Sequence, residues 1–322
     1  MKKLLMIINP YAGMRRIYRY LPDVLRLFHA HDYRCETYVT GSSGDATRFL
    51  ASGEVAKPDL IVCAGGDGTL NETIAGMLST GLDCPLGYIP CGTTNDYASS
   101  IGLSGDVMQA AIDIMEGAPR DFDIGEFNGR HFVYTATCGA FAKASYTTPQ
   151  AAKNLLGHVA YILEGARDLT SIKPIHLYVE TDEYDLEDEF IFCSITNSTS
   201  VGGILKLDTN LVALNDGKFE VTMVKNPTTP AQLSRILYGL TTMDIPNEMI
   251  YFFSTSSLRI TCGAPIEWTL DGEREPETEK VVLRNLHGVV RIVIPKGGQD
   301  NPVLVPREVE PDPDISLRGG TE

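Results

Sequence analysis

Residues 60–72 read Leu60-Ile61-Val62-Cys63-Ala64-Gly65-Gly66-Asp67-Gly68-Thr69-Leu70-Asn71-Glu72. The apolar run Leu60 to Ala64 has no polar alternation, so it suits a strand covered on both faces, as in a parallel sheet. Gly65 and Gly66 stop it. Beyond them Leu70, Ile74, Met77 and Leu78 recur at helical spacing, which predicts strand, glycine turn and helix in succession. Outward from this unit the pattern repeats. Leu4 to Ile8 is a strand, followed by Ile17, Tyr20, Leu21, Val24, Leu27 and Phe28 at helical spacing. Leu86 to Ile89 is another strand, and Val107, Ala110, Ala111, Ile114 and Met115 mark a helix closed by Gly117 and Pro119. Strand-helix alternation of this kind predicts a doubly wound α/β domain.

From Asp121 the character changes. Short β-rich runs follow at His131–Thr137, Ile175–Glu180, Phe190–Thr196, Phe219–Val224, Leu258–Cys262, Lys280–Leu283 and Val289–Ile294. Asn128-Gly129, Asp216-Gly217 and Asp271-Gly272 supply turns between several of them. These features predict an antiparallel sandwich or barrel with one or two helical insertions, around 150–168 and 229–240. The expected fold class is therefore α/β plus all-β: an α/β domain over 1–120 and a β-sandwich domain over 121–295. The total of 322 residues agrees with two domains at about 150 residues each. Residues 296–322 read as a partly disordered tail or a segment that rejoins the first domain.

The chain has 27 basic and 42 acidic residues, a net charge of −15. That balance argues against a nucleic-acid partner, whose phosphates require clustered Lys and Arg. Its 43% apolar content suffices for a sizeable core. Seven cysteines, an odd number without a C-x-x-C pair, indicate buried thiols rather than a disulfide framework or zinc site. The opening apolar run, Leu4 to Ile8, is too short for a secretory signal.

A glycine-rich turn between strand and helix lets backbone N–H groups approach a phosphate at the helix N-terminus. The stretch here is neither G-x-G-x-x-G nor a Walker A loop, because no Gly-Lys-Ser/Thr follows. An acid inside a phosphate loop repels phosphate unless a cation intervenes, so Asp67 implies Mg²⁺. Asn9-Pro10-Tyr11-Ala12-Gly13 and Pro90-Cys91-Gly92-Thr93-Thr94-Asn95-Asp96 also follow strands, with small turn-forming residues suited to the same cleft.

Together Asn9–Gly13, Gly65–Glu72, the Gly92–Asp96 loop, Leu214–Glu220 and Leu270–Glu273 resemble the bacterial diacylglycerol kinases and related lipid kinases. The resemblance implies ATP in a cleft between an α/β domain and a β-sandwich. It implies nucleotide contacts from Asn9, Pro10, Tyr11, Ala12, Gly13, Thr40, Gly66, Asp67, Gly68, Thr69, Leu70, Asn71, Glu72 and Thr93. Asp67 would act through the catalytic Mg²⁺, with Asp271 and Glu273 facing it and Glu273 as general base. A second, structural Mg²⁺ would rest on Asp216 and the carbonyls of Ala213 and Lys218, although Asn215 stands where the family pattern has an acid. Asp123 matches a family acid tied to the active-site network.

The implied reaction is phosphorylation of the diacylglycerol hydroxyl to give phosphatidic acid. The alternatives are phosphatidylglycerol, a sphingoid base or another alcohol as acceptor, an enzyme similar to NAD kinases, and a non-catalytic nucleotide-binding regulator. The implied partners are a membrane lipid and, transiently, the inner membrane face, reached from the cytoplasm. A homodimer is among the partner expectations.

Overall fold

The buried strands Leu60–Gly65 and Leu86–Pro90 expose no position, which explains their unbroken apolar sequence. In the computed structural model they belong to a parallel set built from β1 (Lys2–Ile8), β2 (Tyr33–Val39), β3 (Leu60–Gly65) and β4 (Leu86–Pro90), in the order β4-β3-β1-β2. The structure describes residues 1–139 and 173–296, except 56, 94, 184, 199, 202–204, 207–211 and 243. The helix expected over 150–168 and the C-terminal tail lie outside the described residues.

Helices α1 (Arg16–Ala30), α2 (Asp45–Ala51), α3 (Asp67–Thr80), α4 (Asp96–Ser100) and α5 (Val107–Glu116) connect these strands or follow them. Leu4, Met6, Ile8, Val62 and Ile89 bury one face of the sheet with Ile17, Val24, Phe28 and Ile114 of α1 and α5. Helices α2 and α3 pack so closely that a Cβ on Gly76 would lie 2.7 Å from Leu50. After β1 the chain adds β2 on one side and then β3 on the other. The strand order therefore reverses between β1 and β3, the place where open α/β sheets bind ligands beyond the strands' carboxyl ends.

The remaining strands are β5 (Ala118–Phe127), β6 (Arg130–Phe132), β7 (Thr135–Gly139), β8 (Ile175–Thr181), β9 (Asp185–Thr196), β10 (Ser200–Val201), β11 (Leu205–Lys206), β12 (Phe219–Lys225), β13 (Ile250–Thr255), β14 (Ser257–Ile266), β15 (Trp268–Leu270), β16 (Glu273–Arg274) and β17 (Thr278–Ile294). Helix α6 (Pro230–Thr242) precedes β13. Strand β9 pairs with β8 through its first half and lies between β7 and β12 through its second, all antiparallel. This double pairing lets both strand groups share one core, in which Cys138, Cys193, Val221 and Phe253 pack with Leu177, Ile260 and Val281. Trp268 is fully buried there, with Phe127 edge-on at 5.3 Å.

Residue contacts divide the chain into two units, Met1–Ile124 with the segment from His287, and Gly125–Leu286. Both divisions fall inside strands, β5 and β17. The chain returns at His287 because the end of β17 pairs in parallel with β4, Ile292 beside Leu86. Three expected runs change at strand level. His131–Thr137 divides into β6 and β7, and the two runs within 280–294 form one strand, β17, which contains Gly288 at φ +64°. All seven cysteines are free, six of them buried, and burial pushes the Cys63 thiol up to about 12.

Candidate active site

At the switch point, three loops of the first unit lock together through backbone. Gly13 has φ +49°, and a Cβ there would lie 1.8 Å from the Cys91 carbonyl oxygen, so the loop after β1 rests on the loop after β4. A Cβ on Gly92 would lie 2.8 Å from the Gly66 Cα. Only glycines allow these approaches. The Asn9 amide donates to the Thr69 hydroxyl at 3.0 Å and its oxygen accepts the Tyr11 N–H at 3.0 Å, tying the first loop to α3. Asn95, at φ +49°, closes the third loop by donating its amide to the Gly92 carbonyl at 2.9 Å.

Asp67 is the first residue of α3. Its carboxylate accepts the Asp96 N–H at 3.0 Å and the Tyr88 hydroxyl at 3.4 Å. Beside it Gly68 is exposed, whereas Thr69 and Leu70 are buried. The first turn of a 14-residue helix presents N–H groups that the helix itself does not pair. With the helix dipole, they favour an anion at this end. A carboxylate has about four lone-pair sites, and its hard oxygens are of the kind that Mg²⁺ selects.

The other expected contacts differ in what their side chains do. Pro10 is buried, Ala12 is half-buried, Tyr11 is 68% exposed, and Thr93 is exposed. Thr40 is buried, with its hydroxyl donating to the Ile8 carbonyl at 3.3 Å. The Leu70 side chain belongs to the buried core, and Asn71 is half-buried. The Glu72 carboxylate turns to the start of α2, accepting the Gly44 N–H at 2.6 Å and the Ala46 N–H at 3.3 Å. That position satisfies donors a helix start leaves open, a use the sequence did not indicate.

In the second unit the Asp271-Gly272 turn has φ +49° and +83° and joins β15 to β16, with Leu270 opposite Glu273. This is the tight hairpin expected of Asp-Gly. Its two acids diverge. Asp271 is 8% exposed, and its carboxylate accepts backbone N–H groups from Val133 at 2.6 Å, Tyr134 at 2.9 Å and Thr135 at 3.0 Å. These bonds explain the break between β6 and β7. Glu273 has a half-exposed side chain whose Oε2 receives Arg130 Nη2 at 2.8 Å. Arg130 also forms an ion pair with Glu275, which is 8% exposed. No sequence motif singles out Arg130, because it lies 143 positions from Glu273.

Asp216 accepts the Lys218 N–H at 2.9 Å, while the Lys218 carbonyl accepts the Asn285 amide at 2.9 Å. Ala213 is buried. Among the described residues, the buried oxygens of Asn215 and Asn285 have no hydrogen-bond partner, and no group of three or more His, Cys, Asp or Glu side chains could hold a metal. Oxygen-only ligation with one carboxylate suits Mg²⁺ or Ca²⁺ better than a softer metal. Asp123 is fully buried and accepts the Gly288 N–H at 2.8 Å, with His287 Nδ1 at 2.9 Å from the same oxygen. No spacing or motif in the sequence marks His287. No described helix is long and apolar enough to cross a membrane.

The diacylglycerol kinase catalytic domain model matches residues 3–127. A Bacillus subtilis (strain 168) diacylglycerol kinase is 31% identical over 297 residues, covering 92% of this chain and 97% of that one. A Staphylococcus saprophyticus diacylglycerol kinase is 30% identical over 273 residues, covering 84% and 89%. A crystal structure of a diacylglycerol kinase from Bacillus anthracis strain Sterne superposes with a TM-score of 0.69 at 22% identity, covering 92% of this chain and 98% of that one. With relatives matched along almost their whole length, the chain is a kinase and belongs to the diacylglycerol kinase family.

Proposed function

We propose that this enzyme transfers the γ-phosphoryl group of ATP, bound with Mg²⁺, to the free hydroxyl of diacylglycerol, giving phosphatidic acid and ADP. The observation that carries this reading is the glycine-locked set of three loops around Asp67 at the start of α3. Phosphoryl transfer needs positioning and charge neutralisation more than covalent chemistry, and these loops provide both. Bound Mg²⁺ neutralises phosphate charge. The open N–H groups at the start of α3, over Gly66–Thr69, orient the phosphates beside the Asn9–Gly13 loop, and Asp67 would hold the cation. Glu273 takes the proton as the lipid hydroxyl attacks phosphorus. Asp271 fixes the hairpin that carries Glu273, since its carboxylate is already committed to three backbone N–H groups. The Asp216 loop, with the Ala213 and Lys218 carbonyls, would hold a structural cation, near the buried Asn215 and Asn285 oxygens that have no hydrogen-bond partner among the described residues.

Such an acceptor lies in a bilayer, so the enzyme works from the cytoplasm at the inner membrane face. Asp67→Ala and Glu273→Ala should each lower kcat at least ~10²-fold. Normal turnover in both folded variants would sink this mechanism. For the Asp216 loop, the test is thermal melting with and without EDTA. A drop that Asp216→Ala abolishes is expected, and identical curves for the wild-type chain would remove the structural cation.

A further inference from the structure

We infer that Arg130 is a positioning residue for Glu273 and that Glu275 is its anchor. The inference rests on the reading of Glu273 as the base. A glutamate with half its side chain in solvent samples several rotamers, whereas proton abstraction requires a carboxylate held within a fraction of an ångström. The second unit resolves this conflict from β6, which pairs with β5 rather than with the strand of Glu273. Arg130 on β6 uses one terminal nitrogen on Glu273, at 2.8 Å, and the other on Glu275. Glu275 is 8% exposed, and its N–H is bound to the Trp268 carbonyl at 2.9 Å, so its carboxylate is the fixed end of the trio. Burial pushes the Glu275 carboxyl above its ordinary range and Arg130 pulls it down, the behaviour of a buried acid that requires a cation. The planar guanidinium transfers that fixed position to Glu273. A lysine, with a single ammonium point, cannot span both acids in the same way.

The test is steady-state kinetics on the full chain with ATP and diacylglycerol in mixed micelles, comparing Arg130→Ala, Arg130→Lys, Glu275→Gln and Glu273→Gln. Arg130→Ala should lower kcat about 10- to 100-fold with KM for ATP within about twofold. Millimolar methylguanidinium should restore part of that loss, but none of the loss in Glu273→Gln. Arg130→Lys and Glu275→Gln should each lose kcat about 3- to 10-fold, because each keeps one end of the trio. A kcat within twofold of wild type in Arg130→Ala, or a loss confined to KM for ATP, would overturn the inference. Should Arg130→Ala fail to fold, full kcat in both Arg130→Lys and Glu275→Gln would overturn it equally. Turnover retained in Glu273→Gln would instead defeat the base reading itself. An inactive Glu273→Gln beside an active Arg130→Ala would defeat the positioning role alone.

Discussion

Replacing Asp271 with Ala separates a structural carboxylate from a catalytic one. The substitution strips three backbone N–H groups of their acceptor, at 2.6, 2.9 and 3.0 Å, in a site only 8% exposed. A buried donor left unpaired costs about 1–3 kcal/mol, so three cost about 3–9 kcal/mol. Water admitted by the missing side chain keeps the sum near the lower end, about 3–4 kcal/mol. Asp271 also has φ +49°, a conformation that disfavours Ala by about 1 kcal/mol more. At about 2–4 °C per kcal/mol for a domain of 150–250 residues, the second unit should melt about 8–20 °C lower. Asp271→Asn retains one acceptor oxygen and tolerates the left-handed backbone, so about half that shift is expected. Circular dichroism melts of the three proteins make the comparison. An Asp271→Ala variant that loses turnover yet melts within about 2 °C of wild type would refute the reasoning and restore Asp271 to the chemistry.

Other substitutions test the remaining geometry. Gly13→Ala should lower stability by about 2 kcal/mol or more, because its Cβ would meet the Cys91 carbonyl at 1.8 Å from a backbone at φ +49°; unaltered melting and ATP affinity would contradict the locked loops. Glu72→Gln should cost about 1 kcal/mol through the start of α2 and leave KM for ATP unchanged, whereas a raised KM with unchanged melting would place Glu72 at the nucleotide. Burial raises the Glu275 pKa above its ordinary 4.5, so the folded chain holds a proton that the unfolded chain has already released. This group's contribution is therefore fully present at low pH and declines as pH climbs from 4.5 through the folded titration. Urea midpoints in that window should fall less steeply for Glu275→Gln, and parallel curves would count against the buried acid.

The first unit was legible because its signals are local. Unbroken apolar runs at Leu60–Ala64 and Leu86–Ile89 can only be doubly covered strands, and Gly65-Gly66 marks the turn into α3. The antiparallel character of the second half was legible from Asp-Gly turns. Strand β17 was not, since Gly288 reads as a break while its φ of +64° is accommodated within one strand. Nor does any residue mark the change of unit inside β5 and β17, because pairing partners distant in sequence decide it. At the site, motif spacing brought together Asn9, Gly13, Gly66, Asp67 and Thr69. What it missed is side-chain direction: Glu72 turns to α2, Asp271 turns to the backbone of Val133–Thr135, and Arg130 reaches Glu273 across 143 positions.

The central claim is transfer of the ATP γ-phosphoryl group to a lipid hydroxyl with Glu273 as base. Its most direct test is radiolabel transfer from γ-labelled ATP with Mg²⁺ to detergent-solubilised diacylglycerol, phosphatidylglycerol and a sphingoid base, with NAD as a soluble control. The account predicts label in diacylglycerol, and its loss in Glu273→Gln. Label in none of the lipids while ATP still binds, or undiminished label in Glu273→Gln, would contradict it.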